Sequence, residues 1–188
     1  MARPSQNIDQ TLLQSGRILF QEYGCRELSL RTLTEHAQVN MGMFHYHFRS
    51  QENFLTLLLQ SLYDDLHLQL QAETLHPGRA IQRLRQTMHL LARLFREHGA
   101  WLSRVWTDAS HGDEVANQFL KKNGARHMQL ILSLILQALE ENDLREIAPM
   151  QAFTFLMGSI AAPMLIAPRV IQLGFAPDHF QEQMQAKV

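Results

Sequence analysis

The side chains with the most usable chemistry fall within residues 29–53, where SLRTLTEHAQVN runs directly into MGMFHYHFRSQEN. Arg31 carries a guanidinium that can donate two hydrogen bonds to a guanine edge, and Met43 can lie against a thymine methyl group. On a helix over 41–48, Phe44 and Phe48 form an inward i, i+4 pair, and Met41, Met43, His45, Tyr46 and His47 point outward. This is recognition chemistry, made of hydrogen bonds and apolar contacts. Nothing nearby assembles the nucleophile, base and orienting group that catalysis needs together.

Those side chains need a rigid frame, and the flanking residues supply its signals. Ser29 is suited to cap a helix over 30–37, because its hydroxyl can take up an orphan backbone N–H. Leu30, Leu33 and Ala37 then share one face. Gln38 and Val39 turn the chain, Asn40 caps the next helix, and Ser50 caps the one after. Two short helices joined by a three- or four-residue turn form the unit that lays its second helix in a DNA major groove.

The stretch resembles the tetracycline-repressor (TetR) family of bacterial transcription regulators. The family signature is roughly V-S-K-G-T-L-Y-x-[YH]-F-x-[SN]-K-E-x-L. It is met by Val39-Asn40-Met41-Gly42-Met43-Phe44-His45-Tyr46-His47-Phe48-Arg49-Ser50-Gln51-Glu52-Asn53-Phe54. Upstream, residues 8–24 resemble the first helix of the family, ending at F-x-x-x-G (Phe20, Gly24). The specific match covers residues 8–58. Further on, only length and helical organisation are similar.

Three positions depart from the family pattern. Gln38 stands where glycine is usual, and a non-glycine residue at positive φ costs about 1–2 kcal/mol. Met41 and Gln51 replace lysines, which removes two phosphate contacts. Through residue 53 the basic Arg3, Arg17, Arg26, Arg31 and Arg49 are matched by Asp9, Glu22, Glu27, Glu35 and Glu52. Weak non-specific DNA affinity is expected from that balance.

The resemblance implies an all-α protein with a three-helix DNA-binding domain at 1–50 and a ligand-binding and dimerisation domain at 51–188. It implies that Arg31, Asn40, Met41, Met43 and His45 face bases, around Gly42 and the cap Ser29. Tyr46, His47, Arg49, Ser50 and Gln51 would hold phosphates. The expected partners are double-stranded operator DNA, an unknown small-molecule effector and a second copy of the chain. Two recognition helices related by a twofold axis would meet successive major-groove faces about 34–36 Å or a multiple apart, so the operator should be a near-palindrome.

Composition agrees with two helical domains. The 188 residues are 46% hydrophobic with a net charge of −1, ample for a packed core and without an acidic tail or basic arm. The lone Cys25 cannot form an internal disulfide, which fits a reducing cytoplasm, and its simplest role is a small buried hydrophobe. No signal-peptide pattern opens the sequence.

Residues 150–168 carry no Asp, Glu or Lys and no Arg, at close to the ~20-residue length of a membrane span. Pro163, Pro168, Gln151, Thr154 and Ser159 argue for burial in protein instead. By resemblance this helix and the last one form the dimer interface, through Phe155, Gly158, Ser159, Ala162, Phe180 and Met184. No membrane partner is expected.

The remaining sequence reads as helices and contains no run of strand periodicity. A long helix over 51–74 links the two domains. Next come helices over 78–97 and, after an interruption at Gly99, over 101–109, then a loop at 111–113 and a long helix over 114–141. Phe95, Trp101, Val105, Trp106, Phe119 and Met128 are candidates to line an apolar ligand pocket, with His89, His98, Thr107, Asp108, His111, Asn123 and His127 as polar candidates.

Ten histidines invite a metal reading, but no H-E-x-x-H spacing is present, and Asp64, Asp65 and His67 do not make a closed zinc site. No G-x-S-x-G elbow, P-loop or G-x-G-x-x-G occurs. Neither an enzyme, a cofactor nor a metal is expected. The competing class is a helical protein-interaction module that has lost specific DNA binding, as Gln38, Met41 and Gln51 would allow.

Overall fold

The structure, a computed structural model, describes residues 5–172 and 174, with side chains from 7 to 163 and at 174. Among them every regular element is helical: α1 (Ser5–Glu27), α2 (Leu30–Ala37), α3 (Met41–Phe48), α4 (Gln51–Thr74), α5 (Ala80–Ser110), α6 (Glu114–Glu140) and α7 (Pro149–Gln172). The all-α class expected from periodicity is what is found.

The described residues form two compact units, one of residues up to 76 with 100–130, the other of 77–99 with 131 onward. Packing therefore does not divide at residue 50. The reason is that α4 buries Phe54, Leu55, Leu58 and Leu59 in the same core as Leu12, Phe20, Leu33 and Phe44.

In the first unit α1 packs on α2, α3 and α4. Gly16 permits the close approach of α1 to α4, because a Cβ there would stand 2.6 Å from Cζ of Phe54. Phe44, Phe48 and Phe54 pack with ring centroids 5.0–5.6 Å apart, an aromatic knot that fixes α3 on α4. Arg17 reaches Asp65 at 3.4 Å and Ser61 at 3.2 Å, a second tie between α1 and α4. The Tyr63 hydroxyl donates to the Asn123 carbonyl at 3.0 Å and so joins α4 to α6.

Two local expectations change. The first helix breaks at Gly24 (φ 68°, ψ −162°), where F-x-x-x-G places its end, but helical structure resumes beyond that kink to Glu27. Gly99 does not interrupt the chain, since α5 runs unbroken to Ser110. One helical glycine costs only about 1 kcal/mol relative to alanine, and Leu94, Trp101 and Val105, buried on either side, outweigh it.

In the second unit Leu84, Leu91 and Leu94 of α5 are buried with Ile131, Leu134, Ile135 and Ala138 of α6 and Ala152 of α7. Glu141 accepts the Ala80 N–H at 3.0 Å and caps the start of α5. Asn142, at φ 58°, ends α6 in the left-handed conformation that asparagine tolerates. On α7, Phe155 is 75% exposed, and Gly158 and Ser159 are exposed. Ala162 is half-buried. Phe180 and Met184 lie outside the described residues. Among the described residues no helix is long and apolar enough to cross a membrane.

Candidate nucleic-acid interface

The three capping expectations are met atom by atom. Ser29 Oγ accepts the Thr32 N–H at 3.0 Å, Asn40 Oδ1 the Met43 N–H at 2.9 Å, and Ser50 Oγ the Asn53 N–H at 3.1 Å. Between α2 and α3, Gln38 adopts φ 54°, ψ 38°, and its N–H closes on the Glu35 carbonyl. The left-handed turn that glycine usually makes is thus kept by glutamine, at a cost in conformational energy.

On this frame α3 presents Met41, Gly42, His45 and Tyr46 to solvent, with Met43 half-buried and Phe44 and Phe48 beneath. Tyr46 is 74% exposed, so its ring is not part of the core. Arg31 is also exposed, and its Nε donates to Glu35 Oε1 at 2.8 Å, one helical turn away. A pair this solvated is readily exchanged for a base edge or a phosphate. Asn40 uses its carbonyl oxygen for the cap, so its amide NH2 is the group it can offer to DNA.

Other candidates have structural partners. Gln51 Nε2 donates to the Leu28 carbonyl at 2.7 Å, which ties the start of α4 to the α1–α2 connection. His47 is half-buried rather than outward. Its ring packs against Tyr46 at 5.2 Å, and its Nε2 is buried without a hydrogen-bond partner among the described residues. Arg49 takes φ 63°, ψ −48°, with its carbonyl 3.2 Å from Nδ1 of His45. No residue preference signals this conformation, because arginine is not a left-handed former.

Sequence reasoning missed the contacts that brace the end of α1. Asp108, 3% exposed, accepts the Cys25 N–H at 2.7 Å. Arg104 donates to the Tyr23 carbonyl at 2.6 Å and pairs with Glu27 at 3.0 Å. A Cβ on Gly24 would collide with both Asp108 and Arg104. Burial, with Asp113 and Asp108 nearby, pushes the Cys25 thiol well above its ordinary range, so it is a protonated packing group.

The pocket candidates have varied settings. Trp101, Val105 and Phe119 are buried in the core of the first unit. Trp106 is 57% exposed, Met128 is half-buried, and Phe95 is half-buried in the other unit. A cavity of about 380 Å³ in that other unit is lined by none of the six; its walls are Ile81, Leu84, Arg85, Met88, His89, Leu144, Arg145, Ile147, Ala152, Phe155 and Leu156. Of the polar candidates His89 lies on this cavity, whereas Asp108 and Asn123 are buried structural groups. His67 is occupied by Tyr63, with rings stacked at 5.4 Å. Among the described residues no three His, Cys, Asp or Glu side chains gather as a metal site.

Residues 12–57 match the family model described as bacterial regulatory proteins, tetR family. No curated protein matches the chain. Among solved structures, a chain described as a transcriptional regulator from Saccharomonospora viridis in complex with choline is similar at a TM-score of 0.73 and 18% identity, over 85% of this chain and 84% of that one. The TetR-family regulator PfmR of Thermus thermophilus is similar at 0.68 and 18%, over 81% and 84%. NemR of E. coli in its reduced form is similar at 0.68 and 20%, over 83% and 87%. At these identities the likeness is one of fold. Family members of this kind are non-enzymatic DNA-binding proteins. The match over residues 12–57 takes in the caps, the turn and the aromatic register of α2 and α3, and the chain shares its fold with PfmR and NemR.

Proposed function

We propose that the chain binds a near-palindromic operator as a homodimer and represses transcription until a small, largely apolar effector releases it. The observation that carries this reading is the exposed face of α3, with Met41, Gly42, His45 and Tyr46 held over the buried Phe44 and Phe48. The exposed Arg31 at the start of α2 adds a group able to read guanine. The DNA-binding part is residues 1–50, and 51–188 serves the ligand and the second subunit. The exposed Phe155, Gly158 and Ser159 support the use of α7 by a second subunit, since an apolar face with small residues suits a second helix.

An effector releases DNA only through contacts that differ between the two states, and a switch from mostly bound to mostly free needs about 5.5 kcal/mol of differential affinity. α4 is the mechanical element in this scheme, because Phe54 and Leu58 lock it against Gly16 of α1.

Fluorescence anisotropy against the DNA beside its own gene, with a scrambled duplex as control and a salt series, tests the reading. Tight binding to the native duplex alone, with a shallow salt slope, is expected. Equal weak binding to both would favour an interaction module, a reading supported by the diversion of Gln51 from phosphate to the Leu28 carbonyl.

A further inference from the structure

The cavity in the unit of residues 77–99 and 131 onward has a distinctive chemistry. Much of its lining is apolar, with Leu84, Met88, Ile147 and Leu156, and its volume of about 380 Å³ falls in the range of small-molecule sites. Arg85, His89 and Arg145 also line it and are exposed, so the cavity carries two cationic groups and an imidazole beside its apolar lining.

Among the described residues, the two arginines are not neutralised from within. The neighbouring carboxylates are otherwise engaged: Asp143 pairs with Arg79 at 2.6 Å, and Glu141 accepts the Ala80 N–H. Glu146, next to Arg145 in sequence, is exposed, and among the described residues no ion pair joins it to Arg145 or Arg85. Two arginines on an otherwise largely apolar lining suit a ligand with a hydrocarbon body and one planar anion, for which arginine offers paired donors.

We propose that this cavity binds a small amphipathic carboxylate, its chain against Met88 and Leu156 and its carboxylate between Arg85 and Arg145. This rests on the reading of the chain as an effector-responsive regulator and names the effector class.

Isothermal titration of the full chain with octanoate, 1-octanol and octyltrimethylammonium separates the possibilities. Octanoate is expected to bind about tenfold or more tighter than the alcohol, and the cation weakest. The doubly substituted R85Q/R145Q protein should lose the preference for octanoate over octanol. These positions are exposed, so the variant should fold, which circular dichroism checks. Met88→Trp, filling the cavity, should weaken both ligands. Equal binding of acid and alcohol, octanoate affinity unchanged in R85Q/R145Q, or no heat at millimolar ligand each overturns the proposal. The last outcome would leave the groove to a second copy of the chain. DNA anisotropy of the unliganded wild-type protein is read separately, so failure of the regulator reading is not confused with failure of the cavity assignment.

Discussion

Asp108 accepts the backbone N–H of Cys25 across 2.7 Å, although 83 residues separate them. The bond falls just after the kink at Gly24, where the helix leaves its backbone groups open. Replacing Asp108 by alanine leaves a buried amide without an acceptor, at about 1–3 kcal/mol. Urea denaturation of Asp108→Ala should show a loss of that size. An unchanged midpoint would mean that Arg104 alone closes the kink.

The Gln38 turn predicts the opposite sign. At φ 54° a glutamine pays the left-handed penalty that glycine avoids, partly offset by the greater freedom of glycine in the unfolded chain. Gln38→Gly should raise the thermal midpoint, with a gain on the order of 1 kcal/mol. A lowered midpoint would show that the glutamine side chain compensates for its own backbone strain.

Arg31 is expected to read a base. Arg31→Ala should weaken operator binding by about 1–3 kcal/mol and relax sequence preference at one position. The oligomeric state should not change. Anisotropy with operators altered base by base makes the measurement, and uniform weakening on all duplexes would assign Arg31 to phosphate instead.

The exposed face of α7 is expected to be covered by a second subunit. A Cβ at Gly158 meets nothing within 4 Å in the single chain, so Gly158→Glu is harmless to the protomer fold. It should nevertheless yield monomers, because it places an unpaired charge in the apolar interface. Light scattering decides, and a persistent dimer removes this face from the interface.

Acid should destabilise the protein through α4 and α6. Burial lowers the pKa of His127, and the nearby His67 adds to the shift; burial and the Arg126 guanidinium lower that of His67. Around them stand Tyr63, Asp64 and Arg126, with Arg126 bonded to Asp64 at 3.3 Å. Both imidazoles are thus kept neutral when folded, while the unfolded chain takes up protons near the ordinary value of 6.5. Their contribution is complete above that value and is lost as pH falls below it toward the lowered folded pKa values. Melting curves should drop between about pH 7 and 5, and His127→Gln should flatten the slope. An equally steep slope in the variant would place the titration elsewhere.

The three caps, the turn at Gln38 and the inward pair Phe44 and Phe48 were legible in the sequence, because each depends on residues within four positions of one another. So were the helical class and the exposure of Met41, His45 and Tyr46, since the inward pair sets most of the buried face of a short helix. Tertiary structure decided the rest. It gave Gln51 to the Leu28 carbonyl, turned His47 inward and placed Arg104 and Asp108 behind the Gly24 kink. It carried α5 through Gly99, and it lined a cavity with Arg85, Met88 and Arg145 rather than with the aromatic residues nearest in composition to a pocket. A polar group's partner is set by which unpaired donor or acceptor lies within about 3 Å after the helices have packed. Local sequence carries no record of that distance when the partner lies dozens of residues away.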